Sequence, residues 1–132
     1  MDKTLVVLKP DALKRGLVGA ILSRFERMGL KITAMKMAWP TPEFISKHYA
    51  DDETYHKSVG TKTLEQYQSE SKSPIDVFGT DEPVGIGRKV RGWNMSYLSS
   101  GPVVAIVLEG HRAVEQVRLQ LGHTIPSKAA PG

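Results

Sequence analysis

Residues Thr4–Ile32, TLVVLKPDALKRGLVGAILSRFERMGLKI, decide how this chain begins to fold. Thr4 to Leu8 reads as a short apolar strand. Lys9 stands at its end, and Pro10 forbids the strand to run on inside a sheet, so the chain turns at once toward a helix. A lysine held there is a compact charge with three donors, suited to a phosphate oxygen, although a lone Lys-Pro taken by itself reads first as a solvated lysine beside a turn. From Leu17 to Met28, Leu17, Val18, Ile21, Leu22, Phe25 and Met28 recur at helical spacing, and Gly29 follows as a C-terminal cap. Leu30 to Ala38 reads as a second strand, with Leu30, Ile32 and Ala34 alternating. The alternation slips near Met35, which predicts a bulge.

Downstream, Thr41-Pro42 is a helix start, with Thr41 as N-cap and Pro42 at the first helical position. That short helix is expected to carry Phe44, Ile45, His48 and Tyr49. Residues 50–84 are polar and rich in turn formers, with a short helix predicted over Thr63 to Tyr67. Ile86, Val90, Trp93 and Tyr97 mark one face of a further amphipathic helix. Val103 to Leu108 is a continuous apolar run, as a buried central strand requires. His111 to Leu121 reads as a helix with Val114, Val117 and Leu121 inward and Gly122 at its end, followed by a loop.

The order is strand, helix, strand, helical hairpin with an insertion, strand, helix. It is the ferredoxin-like order without its last strand. The expected fold is therefore α+β: an antiparallel ferredoxin-like sheet with helices on one face, the last strand missing from this chain. We expect one domain over 1–132, C-terminally incomplete, with residues 50–92 a polar acidic insertion within the helical hairpin.

A length of 132 residues suits about one domain. The longest apolar run, Val103 to Leu108, is far short of a membrane span, and the N-terminus enters a strand without a signal-peptide pattern. There are no cysteines, so disulfides and thiolate chemistry are excluded and a cytoplasmic protein fits. Charge is uneven. Residues 1–37 carry eight Lys+Arg against three Asp+Glu, residues 51–83 three against eight, and residues 84–132 six against two. Positive charge thus gathers in the flanks, where it would attract polyphosphate anions. No basic run is interleaved with aromatics, so nucleic acid is not the expected partner, and no membrane is.

Three blocks of this chain carry a family resemblance. The first is Lys9-Pro10-Asp11-Ala12 with Arg15-Gly16, Gly19 and Phe25-Glu26. The second is SGPVVAIVLEG, Ser100 to Gly110, and the third is VRLQLGHTIPSKAAPG, Val117 to Gly132. In order and spacing they resemble the nucleoside diphosphate kinases. The resemblance covers roughly residues 3–50 and 93–132. It implies transfer of the γ-phosphoryl of a nucleoside triphosphate to a nucleoside diphosphate through a phosphohistidine, in a ping-pong scheme. It also implies Mg²⁺ carried with the nucleotide, few or no protein metal ligands, and a homo-oligomer.

Matched residue by residue, the phosphate-binding side chains implied are Lys9 from the first block, Tyr49 from the His-Tyr after the second strand, and Arg118 and Thr124 from the third block, which keep the family's spacing of six. Each has a plainer reading: Tyr49 as a helix-face aromatic, Arg118 as a solvated charge. The family's base-stacking aromatic would fall at Val90, which cannot stack in that way, so the base contacts are not carried over. Ile125 stands where the family commonly has asparagine. The insertion is about thirty residues by the count between Tyr49 and Tyr97, well beyond ordinary loop length, and resembles a longer-lidded branch of the family.

The family's nucleophile sits in an Asn-x-x-His segment that follows its Ala-Pro-Gly run, and none of His48, His56, His111 or His123 falls in such a motif. The expectation is that the nucleophile lies beyond Gly132 and that the missing fourth strand, beside the first, lies there too. The alternatives are a nucleotide-binding pseudoenzyme and a regulatory or structural subunit lacking the nucleophile. No Gly-x-x-x-x-Gly-Lys loop is present, and Gly85-Ile86-Gly87 reads as a turn.

Overall fold

In a computed structural model of the chain, which describes residues 1–131, Pro10 ends the first strand. Strand β1 runs Asp2–Leu8, and helix α1, Pro10–Lys14, opens on the proline itself. Proline has no N–H to lose at a first helical position, and its fixed φ is already helical. Helix α2, Val18–Arg27, follows, and Gly29 turns the chain out of it at φ 81°. Strand β2 spans Lys31–Ala38. Its register against the central strand breaks between Ile32 and Ala34, so the bulge sits at Thr33 rather than near Met35.

Three helical segments and the last helix of the hairpin come next. They are α3, Pro42–Ser46, α4, Glu53–Ser69, α5, Pro74–Phe78, and α6, Pro83–Leu98. Strand β3, Val103–Gly110, and helix α7, Ala113–Leu121, complete the regular structure, with a 3₁₀ turn at Pro126–Lys128.

The chain forms two compact units, Met1–Ala38 with Pro102–Gly132, and Trp39–Gly101. The first is the α+β sheet unit. β3 lies in the centre and pairs antiparallel with both β1 and β2, giving the order β1-β3-β2. This is the ferredoxin-like arrangement, and among the described residues β1 pairs on one side only. Directly paired residues share a face. Val6 opposite Ile106, Leu8 opposite Val104, and Leu108 between Thr4 and Ile32 make the inner face. Phe25 of α2 and Ala113 and Val117 of α7 close over it. Phe25, Ile106 and Leu108 are all but inaccessible to solvent. The opposite face is open, with Leu5 exposed. Both helices thus lie on one face, as the periodicity predicts.

The second unit departs from the sequence reading in three ways. The helix expected over Thr63 to Tyr67 is α4, seventeen residues long. Asp52 starts it by accepting the Tyr55 N–H at 2.7 Å. Its polar, weakly periodic sequence hides its length, because α4 meets α6 through glycine rather than through an apolar stripe. A Cβ on Gly60 would lie 1.7 Å from the Pro83 carbonyl oxygen.

The inward face of α6 also differs. Ile86, Gly87 and Leu98 are buried and Arg91 is largely covered, whereas Trp93 is half exposed. Trp93 instead stacks on the buried Phe78, ring centroids 5.2 Å apart. Finally, α3 stops at Ser46, so Tyr49 sits in a bend and not on a helix.

In α7 the inward residues are Ala113 and Val117, while Val114 and Leu121 are exposed. Arg112 adopts φ 52°, a left-handed turn that delays the helix start to Ala113 and rotates the face expected from His111.

Candidate functional site

In the sheet unit the end of β1 opens onto a groove of about 470 Å³. Lys9 and Asp11 line it at one end, Ile21 and Arg24 of α2 along one side, and Gln120 and Leu121 of α7 along another. Lys9 owes its place to Pro10. It takes the N-cap position of α1 in extended conformation, φ −79° and ψ 168°, with its side chain exposed. It makes no capping hydrogen bond, as a lysine without an acceptor must not.

Arg118 lies in the last turn of α7, where a cation complements the helix dipole. Leu121, three residues on and so on the same side of the helix, lines the groove. Gly122 then turns the chain at φ 72°, which costs a glycine little. Thr124 follows in an exposed bend. That bend is held by His123, whose Nδ1 accepts the Ile125 N–H at 2.9 Å. The bond leaves the proton of the neutral ring on Nε2. The structure therefore brings Lys9, Gln120 and Leu121 to one groove, and Arg118 and Thr124 are not among the residues that line it.

Tyr49 belongs to the helical unit. It is half-buried in the bend after α3, with the His48 ring edge-on at 4.9 Å. Burial, helped by the neighbouring Tyr55 phenol, raises its pKa above the ordinary value of 10.0. Its hydroxyl is therefore a neutral donor throughout the physiological range.

The bend is fastened by residues the sequence did not single out. Arg91 Nε donates to the Ala50 carbonyl at 3.0 Å, and Nη2 donates to the Ser46 carbonyl at 3.0 Å and the Tyr49 carbonyl at 3.4 Å. Asp51 Oδ2 stands 3.9 Å from Arg91 Nη1, and Asp51 Oδ1 accepts from His56 Nε2 at 2.9 Å. His56 is 3 % exposed and its Nδ1 has no hydrogen-bond partner. A bare lone pair there costs less than an unpaired buried N–H would, which puts the ring proton on Nε2, facing Asp51. The available signal was the i, i+4, i+11 spacing of Gly87, Arg91 and Leu98 along α6. It is invisible to a search for apolar stripes because its middle member is an arginine.

Lys9, Arg118 and Thr124 carry an ammonium, a guanidinium and a hydroxyl, groups that can donate to anions, and of the three the groove presents Lys9. The first unit is thus of the α+β ferredoxin-like class, with a groove presenting Lys9 at the end of its first strand. Comparison with known proteins makes the class specific. The family model described as Nucleoside diphosphate kinase matches residues 2–79 and 86–132.

A nucleoside diphosphate kinase of Pyrobaculum aerophilum is 48% identical over 132 residues, covering 100% of this chain and 72% of that protein. One of Archaeoglobus fulgidus is 38% identical over 132 residues, again across 100% of this chain and 66% of the relative. The crystal structure of an NDP kinase from Pyrobaculum aerophilum superposes with a TM-score of 0.91 at 47% identity, covering 99% of this chain and 72% of that one. A Borrelia burgdorferi nucleoside-diphosphate kinase, solved as a transition-state mimic with bound vanadate and ADP, gives a TM-score of 0.68 at 34% identity, over 99% of this chain and 61% of its own.

The chain belongs to the nucleoside diphosphate kinase family, a family of phosphoryl-transferring enzymes, and its function is read as that of a nucleoside diphosphate kinase.

Proposed function

We propose that the whole protein transfers the γ-phosphoryl group of a nucleoside triphosphate to a nucleoside diphosphate in two half-reactions through a phosphohistidine. Lys9, Arg118 and Thr124 bind the phosphates, and Tyr49 is a fourth phosphate ligand through its hydroxyl. The observation that carries the reading is the groove at the end of β1, where Lys9 faces the same opening as the last turn of α7. Such a reaction leaves little covalent chemistry to the scaffold; catalysis is positioning and neutralisation of charge on the transferred group. The ammonium of Lys9 and the guanidinium of Arg118 supply that neutralisation, and Arg118 can meet two oxygens at once.

The donor set also bears on magnesium. Lysine, arginine and threonine bind phosphate oxygens rather than a hard cation, and among the described residues Asp11 is the one carboxylate lining the groove. That suits a Mg²⁺ held mainly by phosphate and water. Bound with the nucleotide, the ion would add to the neutralisation of phosphate charge that Lys9 and Arg118 supply.

None of the chain's four histidines is assigned the nucleophile's part. His56 is buried against Asp51, and His123 Nδ1 is engaged by its own loop. We further propose a homo-oligomer working in the cytoplasm. No helix among the described residues is long and apolar enough to cross a membrane.

The reading is tested by incubating the whole protein with γ-labelled ATP and GDP. Label is expected in GTP, with an acid-labile labelled enzyme on the way, and Lys9→Ala should lower the transfer rate by about two orders of magnitude. Acid-stable labelling, or a Lys9→Ala protein that transfers at the parent rate, would sink it.

A further inference from the structure

Arg91 commits a whole guanidinium to one short stretch of backbone. Its Nε and Nη2 serve the carbonyls of Ser46, Tyr49 and Ala50, and its remaining nitrogen faces Asp51. Its side chain is only 13% exposed. Asp51 in turn is held by the buried Nε2–H of His56 on α4. We infer that Arg91, braced by the Asp51–His56 pair, is a positioning residue that sets the Tyr49 hydroxyl for its phosphate. The inference rests on the phosphate role proposed for Tyr49 and adds the machinery that aims it.

The physical case begins with α3. It is one turn long and ends at Ser46, so its last carbonyls have no intrahelical partner. A loop on the surface normally gives such groups to water. Here one planar, always-charged fork takes the Ser46 carbonyl at the helix end and those of Tyr49 and Ala50 in the bend, and it comes from an inward position on α6. A lysine cannot serve three carbonyls and a carboxylate from one point charge.

The contacts bracket Tyr49. Arg91 holds the carbonyl of Tyr49 itself and that of the next residue, and the His56-bound Asp51 fixes the chain one step further on. With the backbone set on that side, the phenol retains only its two side-chain torsions. The edge-on His48 ring restricts those as well. A ligand group prepared in this way does not have to be ordered when the nucleotide binds, which is the gain of preorganisation.

The chain itself, titrated with Mg·ADP by calorimetry and labelled with ¹³Cζ-tyrosine for NMR, separates the possibilities. Arg91→Ala should weaken ADP binding roughly tenfold, the worth of one well-placed hydrogen bond to a charged group. It should have little further effect in a Tyr49→Phe background, because both changes act through one hydroxyl. The Tyr49 resonance, which faces Tyr55 and His48, should shift and titrate closer to an ordinary phenol once its bend is loosened.

Asp51→Asn preserves the shape of the bend and should give the same effects in smaller measure, which guards against a variant that merely unfolds. Additive losses for Arg91→Ala and Tyr49→Phe, or an unmoved Tyr49 resonance in Arg91→Ala, overturn the positioning role. If the Tyr49→Phe chain binds ADP as tightly as the parent, while Arg91→Ala alone shifts the Tyr49 resonance, the phosphate role of Tyr49 is overturned and the fastening upheld.

Discussion

Gly87 of α6 lies against the backbone of His56 on α4 so closely that a Cβ at Gly87 would sit 1.9 Å from the His56 carbonyl oxygen. The obstacle is backbone, which cannot swing aside as a side chain can. Gly87→Ala must therefore push the two helices apart. We expect a loss of about 3 kcal/mol or more, at the upper end of overpacking costs, measured by urea denaturation. Gly92, on the same helix, meets nothing within 4 Å. Gly92→Ala should stabilise the chain by about 0.5–1 kcal/mol through helix propensity alone. Equal effects from the two alanines would refute the close approach.

These glycines also explain what could be read from sequence. β1, α2 and β3 were legible because their burial is carried by apolar residues at periods of two or 3.6, and Pro10 and Gly29 mark the ends. The position of Lys9 followed from one proline. α4 was cut short in the reading because its packing face is made of Gly60 and His56, which contribute no apolar period. Arg91 escaped for the same reason in reverse: a charged residue on an inward face reads as solvent-facing until its acceptors, backbone carbonyls some forty residues away in the chain, are known. The rotated face of α7 turned on the left-handed Arg112, a conformation that residue type does not announce.

The sheet core should be intolerant of truncation. Phe25 of α2 is 1% exposed and packs in one core cluster with Ile106 of β3 and Val117 of α7. Phe25→Ala removes a ring from the centre of a three-stranded unit that has little else to replace it. The expected loss is about 3–5 kcal/mol, read from the shift of a thermal or urea transition. A shift equivalent to less than about 1 kcal/mol would mean that the ring is not the centre of the core.

Tyr49 predicts an alkaline limit. Its folded pKa is raised by burial and by Tyr55. The folded chain therefore keeps its phenolic proton to higher pH than the unfolded chain does. The stabilisation is fully present below the unfolded pKa near 10. It is lost as pH rises through the higher folded value. Stability measured by urea titration should fall above pH 10 in the parent, and the Tyr49→Phe chain should lack that part of the fall. Parallel curves for the two chains above pH 10 would count against a buried phenol at this position.

Arg118 offers the sharpest test of the nucleotide reading. It sits in the last turn of α7, three residues before Leu121 on the groove wall and six before Thr124. If its guanidinium grips phosphate, Arg118→Ala should weaken Mg·ADP binding by about 1.5–3 kcal/mol, the range for hydrogen bonds to charged groups. The loss should be the same for GDP within error, because phosphate is common to both and base is not. Arg118→Lys should recover only part of it, since a point charge cannot make the paired bonds of a guanidinium. Raising the salt concentration should narrow the gap between parent and alanine chains, as screening weakens an exposed charge contact. An alanine chain that binds ADP unchanged, or one that loses GDP and keeps ADP, would move Arg118 off the phosphates.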